Sequence, residues 1–337
     1  MGPYLSHTRS SRTAGDRLHE QIRTELLQDL GRQVDSACAQ VGFFTCVNHG
    51  VDPQLMHQIF AESQHFFGLP EPFKEKISIE QSPALRGYAK FGLERTLGKP
   101  DFHESVDYPR EYPDSHHLSR AGFQVLGPNP WPDPERVPAF QPTISAYIRS
   151  MQTLATTLIS AMAVGLGLSE AFFEQYFSDP FCILRLLRYP SIHPEALPAL
   201  PAWQRDLVLA SEKLGCRGTG EHTDFGCLTL LAQDDVGGLQ VLRRSLHRYV
   251  LVFTRGVLSR VALDLSLILS LSLSLSLPLS LSLSLSLSLS LSLARSLSLS
   301  LCVRVCVRSA PLVELIDLPA ASNTRESGYP STHRRRL

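Results

Sequence analysis

The stretch "GTGEHTDFGCLTLLAQDDVGGLQVL", residues 218–242, carries two kinds of information. Its second half is strand-like. "CLTLLAQ" (227–233) and "GGLQVL" (237–242) are rich in β-forming residues, and "DDVGG" supplies a turn between them. Its first half sets His222 two residues before Asp224. On a strand, residues i and i+2 share a face, with Cα atoms roughly 6.6 Å apart. An imidazole and a carboxylate so placed can converge on one metal ion. One more His from another strand would complete a two-His, one-carboxylate triad, which leaves coordination positions open and suits Fe(II). Alone, H-x-D is a common pair, and a surface His and Asp near a strand end is the simpler reading. The rest of the chain has to decide between them.

Upstream, apolar residues at Leu18, Ile22, Leu26, Leu30, Val34 and Cys38 recur at helical spacing, which predicts an amphipathic helix over 16–40. "GFFTCVNHG" (42–50) reads as a buried strand ending in a glycine turn. A helix follows, with Asp52 as N-cap, Pro53 at N1, and Gly68 and Pro70 as its stop. Residues 78–138 are rich in Pro, Gly and charge and read as loops with short strands. A long helix over 139–168 has a broad apolar face and should pack on a core. "FCILRLLRYP" (181–190) is another strand. Helices first and short strands after them predict an α+β fold, with a β sandwich or barrel behind a helical part.

Composition narrows the function classes. Lys plus Arg and Asp plus Glu both number 32, so no net field draws the chain to nucleic acid or an anionic membrane. The seven cysteines are scattered with no C-x-x-C pair, which disfavours a zinc knuckle or redox dithiol. The start of the chain shows no apolar secretory region. Reduced cysteines and a cytoplasmic location are expected.

The segment "HTDFGCLTLLAQDDVGGLQV" closely resembles the iron-binding core of the Fe(II)- and 2-oxoglutarate-dependent dioxygenases, in the subgroup similar to isopenicillin N synthase. "VDSACAQVGFFTCVNHGVD", "FFGLPEPFKEKI", "RGYAKFGLERTLGKPDFHESVDY", "NPWP" and "DPFCILRLLRYP" resemble further blocks of that family, in the family's order. Coverage runs from about residue 30 to Val241. The resemblance implies a distorted double-stranded β-helix, or jelly-roll, with the N-terminal helices packed outside it. It implies that His222 and Asp224 are iron ligands and that Tyr189, in "LRYP", meets the cosubstrate. As a strand-end aromatic, Tyr189 fits a place in the core equally well. His49 in "VNHG" reads as a loop residue that hydrogen-bonds locally. The implied cofactors are Fe(II), 2-oxoglutarate as cosubstrate and O2. The implied reaction is oxidation, of the hydroxylation type, of a small organic substrate, with release of succinate and CO2.

The resemblance ends after "GGLQV". The family pattern continues with a Trp-containing strand, an N-x-G-D turn, the second His ligand and an Arg-x-Ser pair that anchors 2-oxoglutarate. None of these follows in order. "SGYPSTHRRRL" loosely resembles the block around the second His, which makes His333 a candidate third ligand. It lies 109 residues beyond Asp224 (333 − 224), and a solvated basic tail is the rival reading. Without the second His the remaining pair should hold iron weakly. Without the Arg a bidentate carboxylate clamp is missing.

From residue 265 to 301 the chain alternates Leu and Ser almost without break. As a membrane helix it is half Ser, carries Leu on every face and is interrupted by Pro278. As a strand it is longer than any ordinary one and a β-aggregation hazard. The genetic code supplies a third reading. CTC is Leu and TCT is Ser, so a CT dinucleotide repeat translates as Leu-Ser. The following "CVRVCVR" (302–308) is what a TGTGTG repeat gives, with one-base variants for Arg. Two adjacent repeats in one open frame read as non-coding DNA translated as protein.

The expected organisation is therefore a helix and strand region over 1–138, a long helix with the first part of the jelly-roll over 139–242, and an unassigned low-complexity tail over 243–337. The barrel is expected to be incomplete after residue 242 and the chain inactive. The rival readings are a non-catalytic binding module built on a damaged barrel, and attachment to a membrane through the Leu-Ser segment. No nucleic-acid partner is expected.

Overall fold

The computed structural model describes residues 14–112, 115–120, 126–211, 218–224, 226–243, 248–252, 261–264 and 300–308. His247, His333 and residues 265–299 of the Leu-Ser run lie outside these.

The chain begins with α1 (Ala14–Gln40), followed by β1 (Phe43–Cys46). The strand is shorter than "GFFTCVNHG" predicts. Asn48 at φ 55° and Gly50 at φ 72° are left-handed, which turns the chain out of an extended path. Helix α2 (Pro53–Gly68) has its predicted start, with the Asp52 carboxylate accepting from the Gln54 N–H. After α3 (Glu71–Glu75) come β2 (Gly87–Ala89), the two-stranded hairpin β3 (Arg95–Thr96) and β4 (Lys99–Pro100), and β5 (Glu104–Pro109). All six residues of β5 are buried, so the Pro- and Gly-rich region contributes a central strand as well as loops. Then follow α4 (His117–Arg120), the long α5 (Phe140–Gly165), α6 (Glu174–Phe177) and β6 (Phe181–Tyr189). Helix α7 (Ala202–Ser211), which no periodicity announced, precedes β7 (Leu228–Gln233). The last strands are β8 (Leu239–Arg243), β9 (Arg248–Val252), β10 (Val261–Asp264) and β11 (Ser300–Arg308).

Seven strands form one sheet in the order β1-β10-β7-β11-β6-β5-β2. Its pairings are antiparallel except those of β11, which runs parallel to both β6 and β7. Among the described residues the sheet has two edges, β1 and β2, so it is a mixed α/β fold with an incompletely closed sheet. Strands β8 and β9 form a separate hairpin. The region beyond 243 thus supplies three strands, with β10 and β11 in the main sheet. The sheet also crosses residue 138, since β2 and β5 lie before it and β6 after it.

Strand alternation sorts the two faces. Val106 and Tyr108 of β5, Cys182, Leu184 and Leu186 of β6, and Leu228, Leu230 and Ala232 of β7 share one core with Phe140, Ile144, Tyr147, Met151 and Leu158 of α5. Tyr108 stacks on Trp131 at 4.5 Å and meets Phe140 edge-on. Helix α1 reaches this core by crossing α5 at two glycines. A Cβ on Gly31 would stand 2.7 Å from the Gly165 nitrogen, so only glycine lets the backbones approach this closely. The intervening strand residues, Ser105, Asp107, Arg185 and Tyr189, belong to the opposite face. That face carries the polar groups described next. Among the described residues, no helix is long and apolar enough to cross a membrane.

Candidate metal centre

His222 and Asp224 sit in the loop before β7 rather than on a strand, so strand geometry is not what brings them together. A hydrogen bond does it. His222 Nδ1 lies 2.8 Å from the Gly220 carbonyl oxygen. A carbonyl only accepts, so Nδ1 is the nitrogen that donates there, which leaves Nε2 as the nitrogen turned toward Asp224. That Nε2 stands 3.2 Å from Asp224 Oδ1. First-row divalent ions sit about 2.1 Å from imidazole nitrogen and carboxylate oxygen, so two ligands at right angles are about 3.0 Å apart. The pair therefore fits two adjacent positions on one ion. Among the described residues no group of three or more His, Cys, Asp and Glu forms a metal cluster, so no third ligand joins them. Cys227 is close in sequence, but burial pushes its thiol up to about 12, and a protonated thiol is a poor ligand.

Tyr189, at the end of β6, faces the same loop. Its hydroxyl is 2.9 Å from Thr219 Oγ1, and its ring lies against His103 with centroids 5.3 Å apart. It is thus a half-buried polar contact beside the loop and not a core aromatic. His103 itself is buried, with Nδ1 2.9 Å from the Gly218 carbonyl and 3.2 Å from Thr219 Oγ1. On its other side Nε2 is 3.1 Å from Glu94 Oε2. Glu94 also accepts from Arg185 Nη1 at 3.0 Å and from the Ser105 hydroxyl at 3.2 Å. Burial alone would push the Glu94 carboxyl up. The hydrogen bond from His103, the Arg185 guanidinium, the charge of His103 and the Ser105 hydroxyl outweigh it and hold it down at about 2.

The arginines of β6 are committed to carboxylates. Arg185 grips Asp107 through Nε at 2.7 Å and Nη2 at 2.6 Å, and Arg188 Nη1 donates to Glu104 at 2.6 Å. Neither could act as an Arg-x-Ser type of carboxylate clamp without giving up a charge-assisted pair. Glu104 is itself buried and also accepts from Lys74 Nζ and the Tyr88 hydroxyl, each at 2.6 Å. His49 Nδ1 accepts from the Val51 N–H at 3.2 Å, and burial lowers its ring below the usual range. In the His116–His117 pair, His116 binds Asp179 at 2.7 Å, beside Arg110.

Asp101, His103, Glu94 and Thr219 carried no signal in the sequence. They lie in a turn-rich stretch and a loop where neither periodicity nor a short motif marks them. What brings them together is a set of side-chain hydrogen bonds between segments far apart in the chain.

The N-terminal part, residues 18–134, matches the family described as non-haem dioxygenase in morphine synthesis N-terminal. A homoarginine-6-hydroxylase from Arabidopsis thaliana is 33% identical over 205 residues, covering 60% of this chain and 51% of that protein. A 1-aminocyclopropane-1-carboxylate oxidase from Dictyostelium mucoroides is 31% identical over 236 residues, or 66% of this chain and 63% of that one. Neurospora crassa T7H, solved in complex with alpha-KG, superposes with a TM-score of 0.56 at 26% identity, over 74% of this chain and 70% of that chain. Together these matches make the chain similar to the Fe(II)/2-oxoglutarate-dependent dioxygenase superfamily. Members of this superfamily use Fe(II), 2-oxoglutarate and O2. The dioxygenase-like chain spans about half to two-thirds of the length of these curated relatives.

Proposed function

We propose that residues His222 and Asp224 are two ligands of a non-haem Fe(II) centre, in a double-stranded β-helix of the isopenicillin N synthase-like kind. The observation that supports this most is the 3.2 Å approach of His222 Nε2 to Asp224 Oδ1, with the ring oriented by the Gly220 carbonyl. Bound there with 2-oxoglutarate and O2, iron supplies the power to oxidise a substrate C–H bond while 2-oxoglutarate becomes succinate and CO2. The protein's part is to keep Asp224 ionised, to hold His222 with its Nε2 lone pair available, and to orient both. Tyr189 is the residue assigned to the cosubstrate, and its hydrogen bond to Thr219 on the site loop supports that reading. The relatives' names specify small organic substrates, homoarginine and 1-aminocyclopropane-1-carboxylate, and a small organic substrate is inferred here too.

The 337-residue chain is expected to be inactive. Among the described residues the pair has no third ligand, and Arg185 and Arg188 are already engaged. Incubation with Fe(II), 2-oxoglutarate and O2 tests this, with succinate as the readout. No succinate above a protein-free control is expected; robust turnover would overturn the inactivity.

A further inference from the structure

The site loop is tied to the rest of the fold at two backbone points. Hairpin β3–β4 turns through Leu97 at φ 51° and Gly98 at φ 78°, both left-handed, as a two-residue hairpin turn requires. The next residue after β4 is Asp101, whose N–H donates to the Glu94 carbonyl at 2.9 Å. Its buried carboxylate accepts from the Thr96 hydroxyl through Oδ2 at 2.7 Å and from the Gly220 N–H through Oδ1 at 2.9 Å. The same Gly220 accepts, at its carbonyl, from His222 Nδ1. Two residues along from Asp101, His103 reaches the Gly218 carbonyl. Gly220 also lies against Thr96. A Cβ there would stand 2.6 Å from Thr96 Cβ and Cγ2, so the loop fits only with glycine.

We infer that Asp101 and His103 are positioning residues for the metal centre. Asp101 holds the N–H of Gly220, and the carbonyl of the same residue in turn holds the His222 ring, so that Nε2 and not Nδ1 turns toward Asp224. His103 holds the first turn of the same loop at Gly218 and Thr219, beside Tyr189. Asp101, just after the hairpin, lies more than a hundred residues upstream of Gly220, so a loop-to-loop hydrogen bond couples two distant segments into one ligand-orienting device. Partners that orient a metal-binding imidazole through its second nitrogen typically change metal affinity about 10- to 100-fold when removed. This inference rests on the metal reading above for its function, and on the hydrogen-bond chain alone for its geometry.

The test uses the full chain with ¹⁵N-labelled histidine, His222 being assigned by its loss in His222→Gln. At a pH where the ring is neutral, the metal-free wild type is expected to show His222 as the Nδ1–H tautomer. Asp101→Ala and Gly220→Ala are expected to give a mixture of tautomers. Asp101→Asn, whose amide oxygen still accepts from Gly220, is expected to restore the wild-type signal. Thr96→Val, a milder change, keeps the test open where Asp101→Ala does not fold. Co(II) titration should show about 10- to 100-fold weaker binding in Asp101→Ala than in wild type. Unchanged tautomer and unchanged Co(II) affinity in folded Asp101→Ala and Gly220→Ala would overturn the positioning role. A wild type that locks the tautomer but takes up no Co(II) would uphold the positioning and sink the metal reading instead.

Discussion

Acidification should weaken the fold through Glu94, and the structure sets both the size and the direction. This carboxyl is held at about 2, against a usual value of 4.5. At about 1.4 kcal/mol per tenfold change in proton affinity, the gap is worth up to about 3 kcal/mol. The side chain is about a quarter exposed, so this is an upper figure. A depressed carboxyl binds fewer protons folded than unfolded. Its stabilisation is therefore complete above about pH 4.5 and is lost as pH falls toward 2. The assay is urea unfolding of wild type and Glu94→Gln across that range. Other carboxylates titrate in both proteins, so the difference between the two curves isolates Glu94. Wild type should be the more stable by about 2–3 kcal/mol near neutrality, with the difference vanishing near pH 2. A difference that does not change with pH would refute the account of His103, Arg185 and Ser105 as the groups holding the charge.

Gly31→Ala should force α1 away from α5 and lower stability by about 1–3 kcal/mol, read as a drop in thermal midpoint. Lys74→Met leaves the buried Glu104 without its ammonium partner and should cost about 3 kcal/mol. The double variant Lys74→Met/Glu104→Gln should recover part of that, and additive losses in a double-mutant cycle would argue against coupling. If residues 265–308 translate a nucleotide repeat, sequencing the messenger RNA across codons 240 to 320 should show the repeat spliced out. The joined exons should encode a strand, a His and an Arg-x-Ser; a transcript retaining the repeat in frame would contradict this.

The long helices α1, α2 and α5 were legible because their signals are local. Asp52 caps the start of α2 and Pro53 opens its first turn, chemistry that needs no distant partner, and the apolar face of α5 repeats within one turn. Strands β6 and β7 were legible from β-branched and apolar runs. Strand β5 was not, because "ESVDYP" is polar in sequence and buried only through pairs made at a distance, such as Asp107 with Arg185. The same reason hid the supports of the site. His222 and Asp224 stand two apart and could be singled out as a pair, but a loop carbonyl and not strand pleating brings them together. Asp101 and His103 reach Gly220 and Gly218 across separations of more than a hundred residues, which no spacing rule reports.

The central claim is that His222 and Asp224 form one metal site, and Co(II) titration of the full chain tests it most directly. Wild type should show saturable binding with a visible d–d spectrum, weak because two protein ligands hold the ion. His222→Ala and Asp224→Ala should each abolish that spectrum while leaving the thermal midpoint of the metal-free protein nearly unchanged. Equal Co(II) spectra in wild type and both variants would contradict the claim.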